Sequence, residues 1–204
     1  MASPPRMLAV SGDEALAGEA LERWAAALER YGVDAMEIRD KQATDRELYD
    51  SARRARAVAR RTKLLVNRRA DIALAASADG VHLSHDGFPI ERLRSSLPEE
   101  WIFGRSTHSV EEVAAAQREG ADYAVFGPVY PTPSKPGAVG APRLEELARA
   151  CQLGLPVLAI GGVALANLES IARAGAHGVA AIRYFSASGQ LAEHVQAVRE
   201  TFSS

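Results

Sequence analysis

GADYAVFG, residues 120–127, holds a helix ending, a turn and the start of a strand. Gly120 suits the left-handed position after a helix C-terminus, Asp122 turns the chain, and Tyr-Ala-Val-Phe reads as a short buried strand. The same design returns in SADGVHL (77–83) and GAHGVAAI (175–182). Short helix-to-strand turns of this kind leave the longer loops to the strand-to-helix side.

Outward from these stretches the chain keeps one rhythm. Short apolar runs bounded by turn residues predict strands at 7–11, 34–39, 63–67, 80–84, 101–105, 123–127, 156–161 and 178–183. Between them, Ala/Glu/Arg/Leu-rich stretches predict helices at 14–30, 44–61, 70–76, 89–96, 109–118, 143–152, 165–173 and 190–201. Strict alternation of eight and eight predicts an α/β fold, a single (β/α)8 TIM barrel with short loops over residues 1–204. The rival, a doubly wound open sheet, often carries a glycine fingerprint after its first strand. VSGDEALAG (10–18) is not one.

The formal charge of the 204-residue chain is −2, which favours neither nucleic acid nor an anionic membrane as a partner. The basic run ARRARAVARRTK (52–63) reads as a solvated helix face. One cysteine, Cys151, rules out a disulfide framework and reads as a small packed side chain. MASPPR lacks the apolar core of a signal peptide, and no apolar run is long enough for a membrane span. The expectation is a cytoplasmic protein with residues 1–6 disordered and with room for a homo-oligomer.

Barrels of this kind carry their active sites at the C-terminal strand ends. That rule selects Glu37, Arg39 and Lys41 from strand 2, Asn67 and Arg68 from strand 3, and His82, Ser84, His85 and Asp86 from strand 4. Strand 5 adds Arg105, Ser106 and His108; strand 8 adds Ile182 and Arg183. After strand 6 comes GPVYPTPSKPG (127–137), whose prolines limit the entropy lost on binding while Thr132, Ser134 and Lys135 offer two hydroxyls and an ammonium. After strand 7, Gly161 and Gly162 allow close backbone approach, and the following helix offers unpaired N–H groups. A basic rim over such a loop suits small phosphorylated substrates.

EIRDK (37–41), VNRRADIALAASADGVHL (66–83), STH (106–108), VFGPVYPTPSK (125–135), PVLAIGGV (156–163) and GAHGVAAI (175–182) together resemble the thiamine phosphate synthase family, which includes the thiazole tautomerases. The resemblance covers nearly the whole chain. It implies thiamine biosynthesis: transfer of a hydroxymethylpyrimidine from its diphosphate to a thiazole phosphate, with release of pyrophosphate. Carried over by position, it implies that Arg39, Lys41 and Lys135 serve catalysis. Arg39, Lys41, Asn67, Ser106 and Lys135 resemble the pyrimidine-diphosphate site. Thr132 and Ser134 with Gly162 resemble the thiazole-phosphate site, and Glu37, Arg68, Pro133, Gly161, Ile182 and Arg183 are further substrate-binding candidates.

The sequence departs from the family pattern at several of these places. Glu37 stands for the usual glutamine and Arg183 for a small serine. Arg68 and Gly87 stand where the family's two Mg2+-binding aspartates lie, so no metal ligand is assigned; Asp86, one residue early, is the nearest carboxylate. At this stage a thiazole tautomerase and a non-catalytic thiazole or thiamine phosphate binder stay open as alternatives. The tautomerases, however, carry a proton-transferring histidine where Pro128 stands here.

Overall fold

Eight parallel strands close on one another in chain order in the computed structural model, which describes residues 3–12, 18–132, 141–186 and 189–203. The strands are β1 (Met7–Val10), β2 (Ala35–Ile38), β3 (Lys63–Asn67), β4 (Gly80–Leu83), β5 (Ile102–Thr107), β6 (Tyr123–Phe126), β7 (Val157–Ile160) and β8 (Gly178–Ala181). The ring shuts where Leu8 of β1 faces Ala180 of β8. The helices between are α1 (Ala20–Tyr31), α2 (Asp45–Val58), α3 (Ala70–Ala75), α4 (Ile90–Arg94), α5 (Val110–Arg118), α6 (Leu144–Cys151), α7 (Leu168–Arg173) and α8 (Leu191–Thr201). The predicted barrel is therefore present, with its elements in the predicted order.

The period of two along each strand sorts the residues into two cores. Leu8, Val10, Ala35, Leu65, Ile102, Tyr123, Val125, Leu158 and Ala180 fill the cylinder. Their alternates, among them Met36, Val66, Phe103, Phe126 and Val179, pack outward against the helices.

The recurring turn has a specific chemistry, and it occurs four times. After α1, α3, α5 and α7, a residue with positive φ (Gly32, Ser77, Gly120, Gly175) ends the helix. The next residue's N–H returns to the carbonyl five positions back: Val33 to Leu28, Ala78 to Ala73, Ala121 to Ala116, and Ala176 to Ile171. These are paired-bond helix endings that satisfy orphan carbonyls. Three of the turns then present an aspartate to the previous strand's first N–H groups. Asp34 accepts from Arg6 and Met7, Asp79 from Leu64, and Asp122 from Phe103. His177 occupies the fourth place. The sequence reading caught three of the repeats; GVDA (32–35) is the fourth.

Gly80 and Gly178 open β4 and β8 at this end. A Cβ on either would overlap the neighbouring backbone, at Ile102 and Arg6 respectively. The basic run over α2 and the turn after it is mostly exposed, as read, yet some of its arginines are also tied. Arg54 pairs with Glu22, Arg56 with Asp79 at 2.7 Å, and Arg61 with Glu29 at 3.0 Å, so it stitches α2 to its neighbours. No helix among the described residues is long and apolar enough to cross a membrane.

Ser77 sits at φ 55° where the other three turns use glycine. Left-handed backbone costs a non-glycine residue about 1–2 kcal/mol, partly offset by the entropy glycine loses. Ser77→Gly is therefore expected to stabilise the protein by about 0.5–1 kcal/mol, read as a rise of a few degrees in the thermal midpoint.

Candidate active site at the barrel mouth

The inward positions change character toward the C-terminal strand ends. Below lie Leu8, Ala35 and Leu65; above them the same faces carry Glu37, Asn67, His82 and Ser106. Glu37 is 2% exposed, and its carboxylate accepts a 2.7 Å hydrogen bond from the Asn67 amide. His82, also 2% exposed, contacts the Tyr123 hydroxyl through Nδ1 at 3.0 Å and Ser106 Oγ through Nε2 at 2.9 Å. Burial holds this imidazole below its ordinary range; the charge of Glu37 opposes that, while those of Arg105 and Arg39 add to it. The glycine of β5 makes the arrangement possible, because a Cβ on Gly104 would overlap both the Tyr123 hydroxyl and His82 Nδ1.

Arg39 follows Glu37 on the same face and is pinned by a residue that sequence reasoning passed over. Ser11, fully buried at the end of β1, donates from Oγ to the Arg39 carbonyl at 2.9 Å and accepts from the Arg39 N–H at 2.8 Å. Asp40, next in line, accepts from the N–H groups of Gln42 and Ala43 and so shapes the loop toward exposed Lys41. Arg68 is exposed after β3 with φ 63°, and its N–H donates to the His82 carbonyl at 2.8 Å.

Arg105 does not join the rim. Its position on β5 faces outward, where the buried guanidinium donates to the Ser84 and Phe88 carbonyls and pairs with Glu119. It braces the loop after β4 instead of meeting a ligand. The Ser106–Thr107–His108 run divides as the strand period requires. Ser106 turns inward to His82, and Thr107 donates to the Val125 carbonyl.

Gly161 and Gly162 have positive φ, 94° and 63°, and the close approach they permit is first of all to the chain itself. A Cβ on Gly161 would come within 2.6 Å of Pro128, and one on Gly162 within 2.6 Å of Tyr130. Val129 donates to Ile160 and Tyr130 to Gly161, so the loop after β6 lies against the loop after β7. Asn167 completes the second loop by accepting from the Ala164 N–H and donating to the Gly162 carbonyl. Arg183, after β8, donates to the Thr132 hydroxyl at 3.2 Å. Thr132, Gly162 and Arg183 thus come together on one side of the mouth. Pro133, Ser134 and Lys135 lie outside the described residues.

Among the described residues no group of three or more His, Cys, Asp or Glu side chains is arranged to hold a metal ion. Asp86 is largely exposed, and the Ser84 hydroxyl first, then His85 and Arg68, hold its carboxyl below the usual range. A single engaged carboxylate beside a guanidinium does not make a Mg2+ site. Cys151 is half-buried, and burial pushes its thiol up to about 11, which removes it as a nucleophile.

A family model described as thiamine monophosphate synthase matches residues 7–185. The chain is 34% identical over 201 residues to the thiamine-phosphate synthase of Halalkalibacterium halodurans, covering 97% of this chain and 93% of that protein. It is 37% identical to the thiamine-phosphate synthase of Rhodopirellula baltica over 80% of its own length, but spans only 44% of that longer protein. The solved structure of thiamine phosphate pyrophosphorylase from Pyrococcus furiosus superposes with a TM-score of 0.79 at 31% identity, over 97% of this chain and 95% of the other.

Gly104→Ala is the direct test of the tight floor under this mouth. Forcing a methyl between Tyr123 and His82 costs about 1–3 kcal/mol of overpacking. The expected outcome is a clearly lower thermal midpoint with the far-UV spectrum of the barrel retained.

Proposed function

The chain belongs to the thiamine monophosphate synthase family and is a transferase of thiamine biosynthesis, and from that premise we propose how its mouth performs the transfer. The pyrimidine methylene–oxygen bond breaks, and its electron pair leaves with pyrophosphate. The thiazole nitrogen lone pair then forms the new carbon–nitrogen bond to the pyrimidine methylene. No proton moves in either event. The protein's work is therefore to receive the charge that gathers on pyrophosphate and to keep two rings aligned.

The residues divide between those tasks. Arg39, held by Ser11, and Lys41 stand after β2 to receive the diphosphate, with Arg68 after the neighbouring strand, β3. Lys135 is assigned to the same leaving group by its place in the proline-rich loop. Glu37, Asn67 and Ser106, deeper on the inner faces, take the pyrimidine ring. Thr132, Pro133, Ser134, Gly161, Gly162 and Arg183 take the thiazole phosphate, with Ile182 as an apolar wall. Arg183 adds a guanidinium, which grips phosphate in a fork that serine cannot offer. The observation that supports the reading is that Glu37 and Asn67, hydrogen-bonded to each other, and Ser106, hydrogen-bonded to His82, all occupy inward positions at the C-terminal strand ends, with Arg39 two residues beyond Glu37.

Synthases of this family generally depend on Mg2+, yet the donors among the described residues do not fit it, and no step above passes through the ion. Arg68 is proposed to supply the positive charge instead. The tautomerase alternative finds no support: Pro128 carries no titratable group, and the relatives matched are synthases by name. No observation favours the non-catalytic binder.

The test is product formation from hydroxymethylpyrimidine diphosphate and thiazole phosphate, with and without a chelator. The expected result is product in both, with kcat/KM for the diphosphate falling roughly 10- to 100-fold in Arg68→Ala while the KM for thiazole phosphate holds. Activity abolished by the chelator, or undiminished in Arg68→Ala, would remove Arg68 from this role. Absence of product under every condition would remove the synthase reading for this chain.

A further inference from the structure

The transfer described above gives no task to two buried polar side chains under the mouth, Tyr123 and His82. Tyr123 is 0% exposed, and among the described residues its hydroxyl has one partner, His82 Nδ1 at 3.0 Å. Burial, then the charges of Glu37 and Asp122, push the phenol well above its ordinary range, so it keeps its proton. A buried O–H without an acceptor is costly, so Tyr123 donates to Nδ1. That fixes the imidazole tautomer: Nδ1 accepts and Nε2 carries the hydrogen. Nε2 must then donate to Ser106 Oγ, which lies 2.9 Å away. Ser106 has spent an acceptor lone pair on His82, and its own hydrogen has no acceptor among the described residues. The side chain is only half-buried, on an inner face that opens to the mouth.

Every bond in the row therefore points the same way. We propose that Tyr123 and His82 are positioning residues that lock Ser106 as a hydrogen-bond donor toward a ring nitrogen of the aminopyrimidine substrate. Depth selects the ring over the diphosphate, because the cationic groups Arg39 and Lys41 lie further out along β2, beyond Glu37. The partner groups are complementary. An aminopyrimidine presents acceptor ring nitrogens and a donor amino group, which call for a donor such as Ser106 and an acceptor such as the Glu37 carboxylate. The row transfers no proton; it sets polarity. The inference rests on the synthase reading for the identity of the ring, although the direction of the bonds does not.

Histidine 15N NMR reads that direction without any substrate, with the His82 signals assigned by their absence in His82→Gln. His82 is expected to remain neutral, with the hydrogen on Nε2, from about pH 5.5 to about 8.5. The charged groups acting on it are Glu37, Arg105 and Arg39. A hydrogen on Nδ1, or an imidazolium forming near about 6.5, overturns the proposal.

Kinetics then tests what the polarity is for. Tyr123→Phe, checked by its thermal melt, should lose the single tautomer and drop kcat/KM for the pyrimidine diphosphate roughly tenfold, leaving the thiazole phosphate KM unchanged. Ser106→Ala should lose at least as much. His82→Gln, whose amide N–H replaces Nε2–H, should recover most of what His82→Leu loses. Wild-type rates in folded Tyr123→Phe, or equal losses in the Gln and Leu variants, overturn the proposal. A wild-type protein that makes no product sinks the synthase reading instead, and the NMR result tells the two failures apart.

Discussion

Three carboxylates at the strand-starting end of the cylinder, Asp34, Asp79 and Asp122, accept the first backbone N–H groups of β1, β3 and β5. Strand starts are where a barrel leaves donors unpaired, and an unsatisfied buried N–H costs more than most single contacts contribute. Each aspartate sits one residue before the next even strand, so one side chain joins three successive elements: a helix ending, the strand it enters and the strand it neighbours. With this end closed by short stereotyped turns, the variable loops and polar inward residues collect at the other end. The separation of stability from chemistry in this molecule follows from that asymmetry.

The fold was legible because two signals agreed. Alternation of short apolar runs with alanine-rich helices predicted the number and order of the elements, and the recurring G-A-D/H turns marked where strands begin. Most strands are one or two residues shorter than predicted, α2 stops three residues early, and one strand runs longer because its pairing outlasts the apolar run. β5 continues through Ser106 and Thr107 because β6 pairs with both. Single-position propensity cannot see such pairing.

The site was legible in its list more than in its connections. Strand-end position selected Glu37, Arg39, Asn67 and Ser106, which fall on the inward side of the strand period. It also selected Arg105, whose odd place in the strand period sends it outward to Glu119; counting along β5 from the buried Ile102 would have excluded it. Ser11 was missed because nothing local distinguishes a serine that clasps a backbone 28 positions away. The His82–Ser106 bond was missed for the same reason: its two ends belong to neighbouring strands, 24 residues apart in the chain. The two glycines after β7 were read as room for a ligand, whereas they first make room for the loop after β6.

The chain's two ends meet at the closed side of the cylinder. The Arg6 guanidinium reaches the Phe202 carbonyl just past α8, and His177 lies 3.4 Å from the carbonyl of Pro4. Any polypeptide joined to either end would emerge from that side, a full strand length from the mouth, and would leave substrate entry unobstructed.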